Sequence, residues 1–183
     1  MNRYHRYLKL PFDLHKPKIC EQTINHPVYH EDIAHRDPNL ETWLSQFEDI
    51  CIGHTEVFWT NSGKELPIHT DEGIIDDHVK INVSWGSEKG LTRWWKSDIV
   101  EYMEEEGGGH LHRNLIAEKE NSTLVHEACT NTPSLVNVGQ LHSSYNPSDS
   151  GRWTLCFVLA NENKTDFIYW EDAIKMFEDY IYE

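Results

Sequence analysis

Apolar and polar residues alternate along several short stretches of the middle of the chain, and this period of two predicts β-strands. The stretches are rich in β-branched and aromatic residues and are separated by turn-forming residues. They are EVFWT (56–60), ELPIH (65–69), HVKINVSW (78–85), LTRWW (91–95), STLVHEA (122–128), SLVNVGQLH (134–142) and RWTLCFVL (152–159). Because no helical pattern intervenes, we expect an antiparallel sandwich, jelly roll or closed sheet rather than a doubly wound parallel sheet.

Helical periodicity is confined to the flanks of this strand-rich region. Asp37-Pro38, followed by apolar residues at helical spacing, predicts an N-capped helix near 38–50. Apolar residues recur in the same way near the end of the chain and predict a second amphipathic helix there. We therefore expect one domain, with an N-terminal extension (1–54), a β core (55–160) and a C-terminal helical segment (161–183).

Two segments between these elements carry weaker patterns. The first forty residues are polar and rich in proline, so we expect irregular structure there with one short strand at most. The acidic and glycine-rich run EEEGGG (104–109) predicts a loop.

Composition narrows the classes of function. With 183 residues and 38% hydrophobic content, the chain is long enough to bury one full core. A formal net charge of −15 disfavours binding to nucleic acid. The sequence has no long apolar run and no signal-like segment, and its four cysteines form no C-x-x-C pair. We therefore expect a cytoplasmic protein with reduced thiols and no membrane segment. Nothing in the sequence indicates its oligomeric state.

Two of the predicted strands have one apolar and one polar face. In 78–85 the polar face carries Lys80 and Asn82, and in 152–159 it begins with Arg152 and Thr154. A polar strand face is commonly solvated. It can also line a ligand pocket, so these four side chains are candidates for binding.

A histidine and an aspartate one residue apart end the strand 65–69 and suggest a metal site. His69 and Asp71 lie on the same side of an extended chain. His142 ends a later strand, and Arg152 follows it by ten positions. Two histidines and one carboxylate form the facial triad of non-haem Fe(II) oxygenases. The arginine offers a fixed fork of donors to a further carboxylate.

The pattern His69-x-Asp71, His142 and Arg152-x-Thr154 resembles that of the 2-oxoglutarate- and Fe(II)-dependent oxygenases over roughly residues 55–160. The run NVGQLHSSYNPSDSGRWTLCFVL is similar to the aspartyl/asparaginyl β-hydroxylase-like or prolyl hydroxylase-like branch. The resemblance implies a double-stranded β-helix, which is the jelly-roll or cupin-like fold.

The resemblance also implies an activity and roles for particular residues. His69, Asp71 and His142 would bind Fe(II). Arg152, helped by Thr154, would hold the distal carboxylate of 2-oxoglutarate. Lys80 and Asn82 stand where the family usually has a basic or imidazole residue, so either could contact the cosubstrate. The reaction would use O2, with ascorbate as reductant in vitro, and hydroxylate an amino acid, a peptide side chain or a small metabolite.

Two alternatives stay open at this point. GGGHLHRNLIAE and GQLHSSYN together suggest a cupin-type metal site built from His110, His112, Glu118 and His142. That site would leave His69, Asp71 and Arg152 without a role. The other alternative is a jelly roll without catalytic activity that binds a ligand such as a sugar, with the histidines holding a structural metal at most.

Overall fold

The protein is built from strands, as the alternation predicts. The computed structural model describes residues 2–107 and 110–182, with side chains described outside residues 105–112. The strands are β1 (His5–Leu8), β2 (Val28–Ile33), β3 (Cys51–Thr60), β4 (Lys64–Glu65), β5 (Ile68–His69), β6 (Val79–Trp85), β7 (Leu91–Ser97), β8 (Glu101–Gly107), β9 (His110–Ala117), β10 (Ser122–Ala128), β11 (Ser134–Asn137), β12 (His142–Asn146), β13 (Arg152–Ala160) and β14 (Ile181–Tyr182). The helices are α1 (Pro38–Leu44) and α2 (Trp170–Met176).

The strands form two antiparallel sheets that face each other. One has the order β14-β1-β11-β6-β13-β3-β2, and the other has the order β10-β7-β12-β5-β9-β8 with β4 paired to β12. Most neighbouring strands are non-consecutive in sequence, as in a jelly roll, and β2–β3 and β8–β9 are the exceptions within the two sheet orders. The fold is therefore mainly β and fits a jelly roll, one of the architectures that the strand pattern predicts and the one that the resemblance implies.

The first sheet separates an apolar core from a polar interior. On β6 and β13 one face contributes Ile81, Val83, Leu155 and Phe157 to the main hydrophobic cluster, all at most 4% exposed. The helices cover this outer face, since Trp43 of α1 belongs to the same cluster. The opposite face of both strands is polar but also buried. Because it points at the second sheet, it is not simply solvated.

The first helix begins where predicted but is shorter than expected. The Asp37 carboxylate accepts hydrogen bonds from the backbone N–H of Asn39 and Leu40, which caps the helix. The helix ends at Leu44, whereas the apolar spacing predicts a helix near 38–50. The difference arises because Phe47 lies beyond the helix and still packs against the ring of Trp43, with centroids 5.0 Å apart.

The predicted C-terminal helix is likewise only partly helical. It covers Trp170–Met176, and a 3-10 turn over Glu178–Tyr180 follows it. Ile181, which the helical spacing places on the helix, begins β14 and pairs with Leu8 of β1. None of the helices among residues 2–107 and 110–182 is long and apolar enough to cross a bilayer.

Two predicted irregular segments contain strands. The first forty residues supply both β1 and β2, where one short strand at most is predicted, and these strands join the first sheet. The predicted loop 104–109 begins in strand conformation, because β8 runs to Gly107 and pairs with β9. Residues 108 and 109 lie outside the described residues. The prediction failed because β8 is an exposed outer strand whose polar residues show no alternation.

Candidate active site

A small, partly open pocket lies between the two sheets. Its walls come from the inner faces of β6 and β13 on one side and from β5, β7 and β12 on the other. The residues that line it are Phe58, Leu66, His69, Asp71, Lys80, Asn82, Thr92, Val138, His142, Ser144, Thr154 and Cys156. Six of the seven site residues predicted from sequence therefore line one pocket, and Arg152 lies behind it.

Strand pairing explains how residues far apart in sequence meet here. His69 of β5 and His142 of β12 are directly opposite each other in the antiparallel register. Asp71 follows β5 by two residues, and its backbone N–H donates to the carbonyl of Val138 at 3.2 Å. This bond holds the end of the His-x-Asp segment beside the β11–β12 connection, which leads to the second histidine.

The side chains of His69, Asp71 and His142 converge on one point. The Asp71 Oδ1 atom is 3.3 Å from Nε2 of His69 and 3.4 Å from Nε2 of His142. The two imidazole centroids are 4.6 Å apart. One ligand atom from each residue lies within 4.8 Å of the others, so the three could share a metal ion.

Hydrogen bonds to backbone carbonyls orient both imidazoles. Nδ1 of His69 lies 2.8 Å from the carbonyl oxygen of Pro67, and Nδ1 of His142 lies 3.0 Å from that of Gln140. A carbonyl oxygen can only accept, so each Nδ1 carries the proton and donates it. In the neutral rings Nε2 then holds the lone pair, and both Nε2 atoms face the convergence point.

A buried ion-pair network surrounds the aspartate. The Lys80 ammonium is 2.6 Å from Oδ2 of Asp71 and 2.5 Å from Oε2 of Glu56. Burial raises the pKa of Asp71, but Lys80 and the two imidazoles outweigh it and hold that pKa well below its usual range. Burial likewise opposes ionisation of Glu56, yet Lys80 and His54 lower its pKa to about 2. Both carboxylates are therefore ionised at neutral pH.

The two imidazoles differ in their pKa values. Burial lowers the pKa of His142 to about 4, so this ring is neutral at pH 7. Burial acts in the same direction on His69, but attraction to Asp71 outweighs it and raises the pKa of His69 above its usual value.

Arg152 lies at the other end of the pocket with an unusual set of partners. It is 1% exposed. Its Nη1 donates to Ser144 Oγ at 2.7 Å and to the Leu91 carbonyl at 3.3 Å, and its Nη2 donates to Thr130 Oγ1 at 2.8 Å. Its Nε has no partner, and no carboxylate among the described side chains pairs with it. Burial lowers the pKa of Arg152 to about 10, which leaves it charged at neutral pH.

The remaining predicted site residues lie between these two ends. Thr154 Oγ1 is 3.0 Å from Ser84 Oγ, which is also 3.0 Å from Thr130 Oγ1, so a chain of hydroxyls links Thr154 to Arg152. Asn82 is 7% exposed, and its Oδ1 has no hydrogen-bond partner among the described residues. A buried amide oxygen without a partner is costly, which is consistent with a ligand binding there.

Sequence reasoning missed Ser144, which lines this pocket, and two residues that support it, namely Glu56 beside Lys80 and Thr130 beside Arg152. Ser144 is two residues after His142 on β12, so strand parity could have identified it. Glu56 alternates with Phe58 on β3, and an acidic residue in that apolar strand was a similar indication. Thr130 lies in a connection between strands, where no sequence pattern marks it.

The alternative ligand sets have less geometric support. Glu118 is exposed and precedes a 3-10 turn, while the side chains of His110 and His112 lie outside the described residues. A further group, His30, Asp32 and Glu56, also places three possible ligand atoms within 4.8 Å of one another. We assign no ion to it, because His30 and Asp32 lie at the surface, where acidic groups commonly cluster without an ion.

Comparison with known proteins identifies no family for this chain. No protein-family model matches it, and no curated protein matches it. The similar solved structures include an oxalate oxidase in complex with glycolate, at 10% identity and a TM-score of 0.35 over 80% of this chain and 57% of that one. Oxalate decarboxylase from Bacillus subtilis matches at 13% identity and a TM-score of 0.34, over 80% of this chain and 31% of that one.

A third similar structure is Peruvianin-I, described as a cysteine peptidase from Thevetia peruviana latex. It is 9% identical with a TM-score of 0.40, over 91% of this chain and 94% of that one. The chain spans about half of the oxalate oxidase and about a third of the decarboxylase. Similarity at this level indicates nothing about the reaction.

Proposed function

We propose that the protein is a 2-oxoglutarate- and Fe(II)-dependent oxygenase that hydroxylates an unactivated C–H bond. The substrate R–H, 2-oxoglutarate and O2 would give R–OH, succinate and CO2. The substrate would be an amino acid, a peptide side chain or a small metabolite. One observation carries the proposal, namely that a two-histidine, one-carboxylate cluster lines a pocket and a buried arginine without a described carboxylate partner lies directly behind it, hydrogen-bonded to the lining residue Ser144.

The donor set suits Fe(II). Two imidazole nitrogens and one carboxylate oxygen on one side of an ion leave its other coordination positions open, which catalysis on a bound cosubstrate requires. His69, Asp71 and His142 would hold the ion. The hydrogen bonds from both Nδ1 atoms to backbone carbonyls keep the Nε2 lone pairs directed at it.

The far end of the pocket suits a carboxylate. A buried guanidinium without an anionic partner destabilises the fold unless a ligand supplies the charge. Arg152 would hold the distal carboxylate of 2-oxoglutarate through charge-assisted hydrogen bonds, with the Thr154 hydroxyl beside it. The unpartnered Asn82 amide, between the two ends, would contact the middle of the cosubstrate or the substrate.

The residues of the chain would bind and orient, while the ion and cosubstrate do the oxidative chemistry. When bound, Fe(II) and 2-oxoglutarate supply the oxidising power for hydroxylation. The pocket walls bury the reacting groups and exclude water. The substrate would approach beside His69 and Asp71, whose side chains keep 18% and 12% of their surface exposed.

A binding experiment tests the proposal. The protein, reconstituted anaerobically with Fe(II), is titrated with 2-oxoglutarate; after O2 and ascorbate are added, succinate is measured. We expect saturable binding and slow succinate release without a substrate. His69→Ala should abolish iron binding and His110→Ala should spare it, whereas the cupin-type alternative requires the reverse. Absence of 2-oxoglutarate binding to the iron-loaded protein would refute the oxygenase and favour a jelly roll that only binds ligands.

A further inference from the structure

Lys80 lies deep in the pocket although its head group is charged. It is on the inner face of β6 and is 4% exposed. A buried lysine is tolerated only where anions compensate for the lost hydration. Here the compensation comes from Asp71 and Glu56, at 2.6 Å and 2.5 Å. Both contacts are short, so the ammonium is held between two carboxylates.

The two oxygens of Asp71 have different partners. Oδ1 faces Nε2 of both His69 and His142, at 3.3 Å and 3.4 Å. Oδ2 faces the Lys80 ammonium. A carboxylate can bind a metal ion with one oxygen or with both. In this pocket one oxygen is directed at the imidazoles and the other is already engaged.

We propose that Lys80 is a positioning residue that restricts Asp71 to binding the metal ion through one oxygen. This inference rests on the proposed function. An ion held by one atom each of His69, Asp71 and His142 would keep its remaining coordination positions open for the cosubstrate and O2. If Asp71 bound through both oxygens, it would occupy one of these positions and compete with the cosubstrate.

Lys80 is itself held in place, so it can keep its contact with Oδ2 of Asp71 when a metal ion binds. Glu56 holds the ammonium from the opposite side, and Nε2 of His54 lies 3.0 Å from the other oxygen of Glu56. Because Glu56 lies on β3 and Lys80 on β6, both in the first sheet, the ammonium is fixed to the wall opposite β5 and β12. Its charge also opposes that of the metal ion, so Lys80 weakens metal binding and favours cosubstrate binding.

The test uses Co(II) as a redox-inert probe in the full-length protein. Glu56→Gln/Lys80→Met removes one charge of each sign and frees Oδ2 of Asp71. We expect at least tenfold tighter Co(II) binding, at least tenfold weaker binding of 2-oxoglutarate to the Co(II) protein, and a changed Co(II) visible absorption spectrum before 2-oxoglutarate is added. If this variant does not fold, Glu56→Leu/Lys80→Met replaces the pair with apolar residues and carries the same test.

If Lys80 positions Asp71, Co(II) affinity rises while 2-oxoglutarate affinity falls. If Lys80 has only a structural role, its loss weakens the binding of both Co(II) and 2-oxoglutarate. The exposed Lys119, paired with Glu65, offers a matched control, and Lys119→Met should leave both affinities and the spectrum unchanged. Affinities that move in the same direction, or an unchanged spectrum, would overturn the role of Lys80 while leaving the proposed function intact. A wild-type protein that binds Co(II) and Fe(II) but not 2-oxoglutarate would refute the proposed function and this inference with it.

Discussion

The two ends of the pocket compensate buried charge in opposite ways. At the end with the histidines, one ammonium lies between two carboxylates, and Asp71 also faces two imidazoles. At the other end Arg152 is surrounded by hydroxyls and a carbonyl, with no carboxylate among its described partners. One end contains the counter-charges of its own ionised groups, and the other retains a positive charge without a described counter-charge.

The difference suggests two separate roles: the first end is preorganised, and the second end is suited to recognising a ligand. The first end keeps its geometry without a ligand, because its charges hold one another in place. In the proposed function the second end would be completed only by a bound anion, so its desolvation cost would become part of ligand specificity. We therefore expect the loss of one carboxylate at the first end to lower metal affinity or stability. Substitutions at the second end should lower 2-oxoglutarate affinity without lowering stability.

The largest effect is expected at the first end. Asp71→Asn removes the only carboxylate of the proposed ligand set and turns its charge-assisted contacts into weaker ones. We expect Fe(II) and Co(II) affinity to fall by more than about a hundredfold, measured by equilibrium titration. His26→Ala, which removes an exposed histidine, is the control and should bind both ions normally. Retained affinity in Asp71→Asn would show that the ion binds elsewhere.

At the second end, Arg152→Met should separate cosubstrate binding from metal binding. Loss of charge-assisted hydrogen bonds, worth about 1.5–3 kcal/mol each, should weaken 2-oxoglutarate binding about a hundredfold. Co(II) affinity should not change. Since the substitution also removes a buried charge without a carboxylate partner, the unliganded protein should be as stable as the wild type or more stable. A large loss of stability would contradict the contrast between the two ends.

Stability should respond differently when the first end is altered. Glu56→Leu removes one partner of a buried ion pair, so we expect the free energy of unfolding to fall by about 3 kcal/mol. Chemical denaturation of this variant beside Arg152→Met measures the contrast directly. If Glu56→Leu and Arg152→Met are equally stable, then the two ends do not differ in how far their buried charges are balanced by neighbouring residues.

The smallest effect is expected between the ends. Asn82→Leu replaces an amide that has no described partner, so it should not destabilise the unliganded protein. It should weaken 2-oxoglutarate or substrate binding about fivefold through the loss of one hydrogen bond. Unfolding curves and a binding titration check both. If Asn82→Leu lowers stability instead, the amide has a structural role.

The sequence predicted the fold class and many pocket residues because both depend on local periodicity. Alternation identified the polar faces of β6 and β13, and the His-x-Asp spacing indicated two side chains that lie together, although Asp71 follows β5 rather than belonging to it. Contacts between distant strands have no such pattern, so the Glu56 partner of Lys80 and the Thr130 partner of Arg152 were not predicted. The edge strand β8 was not predicted, because its residues 101–104 are mostly exposed and do not need to alternate between apolar and polar.

Gly90, which has no side chain, lies directly against the Arg152 side chain. A Cβ atom on Gly90 would overlap Cδ and Nε of Arg152 and lie 3.1 Å from its Cζ. Alanine at this position would force the guanidinium to move and change the gap between it and the imidazoles. The selection of a five-carbon diacid over shorter or longer homologues would then depend on a glycine that contacts neither the diacid nor the ion.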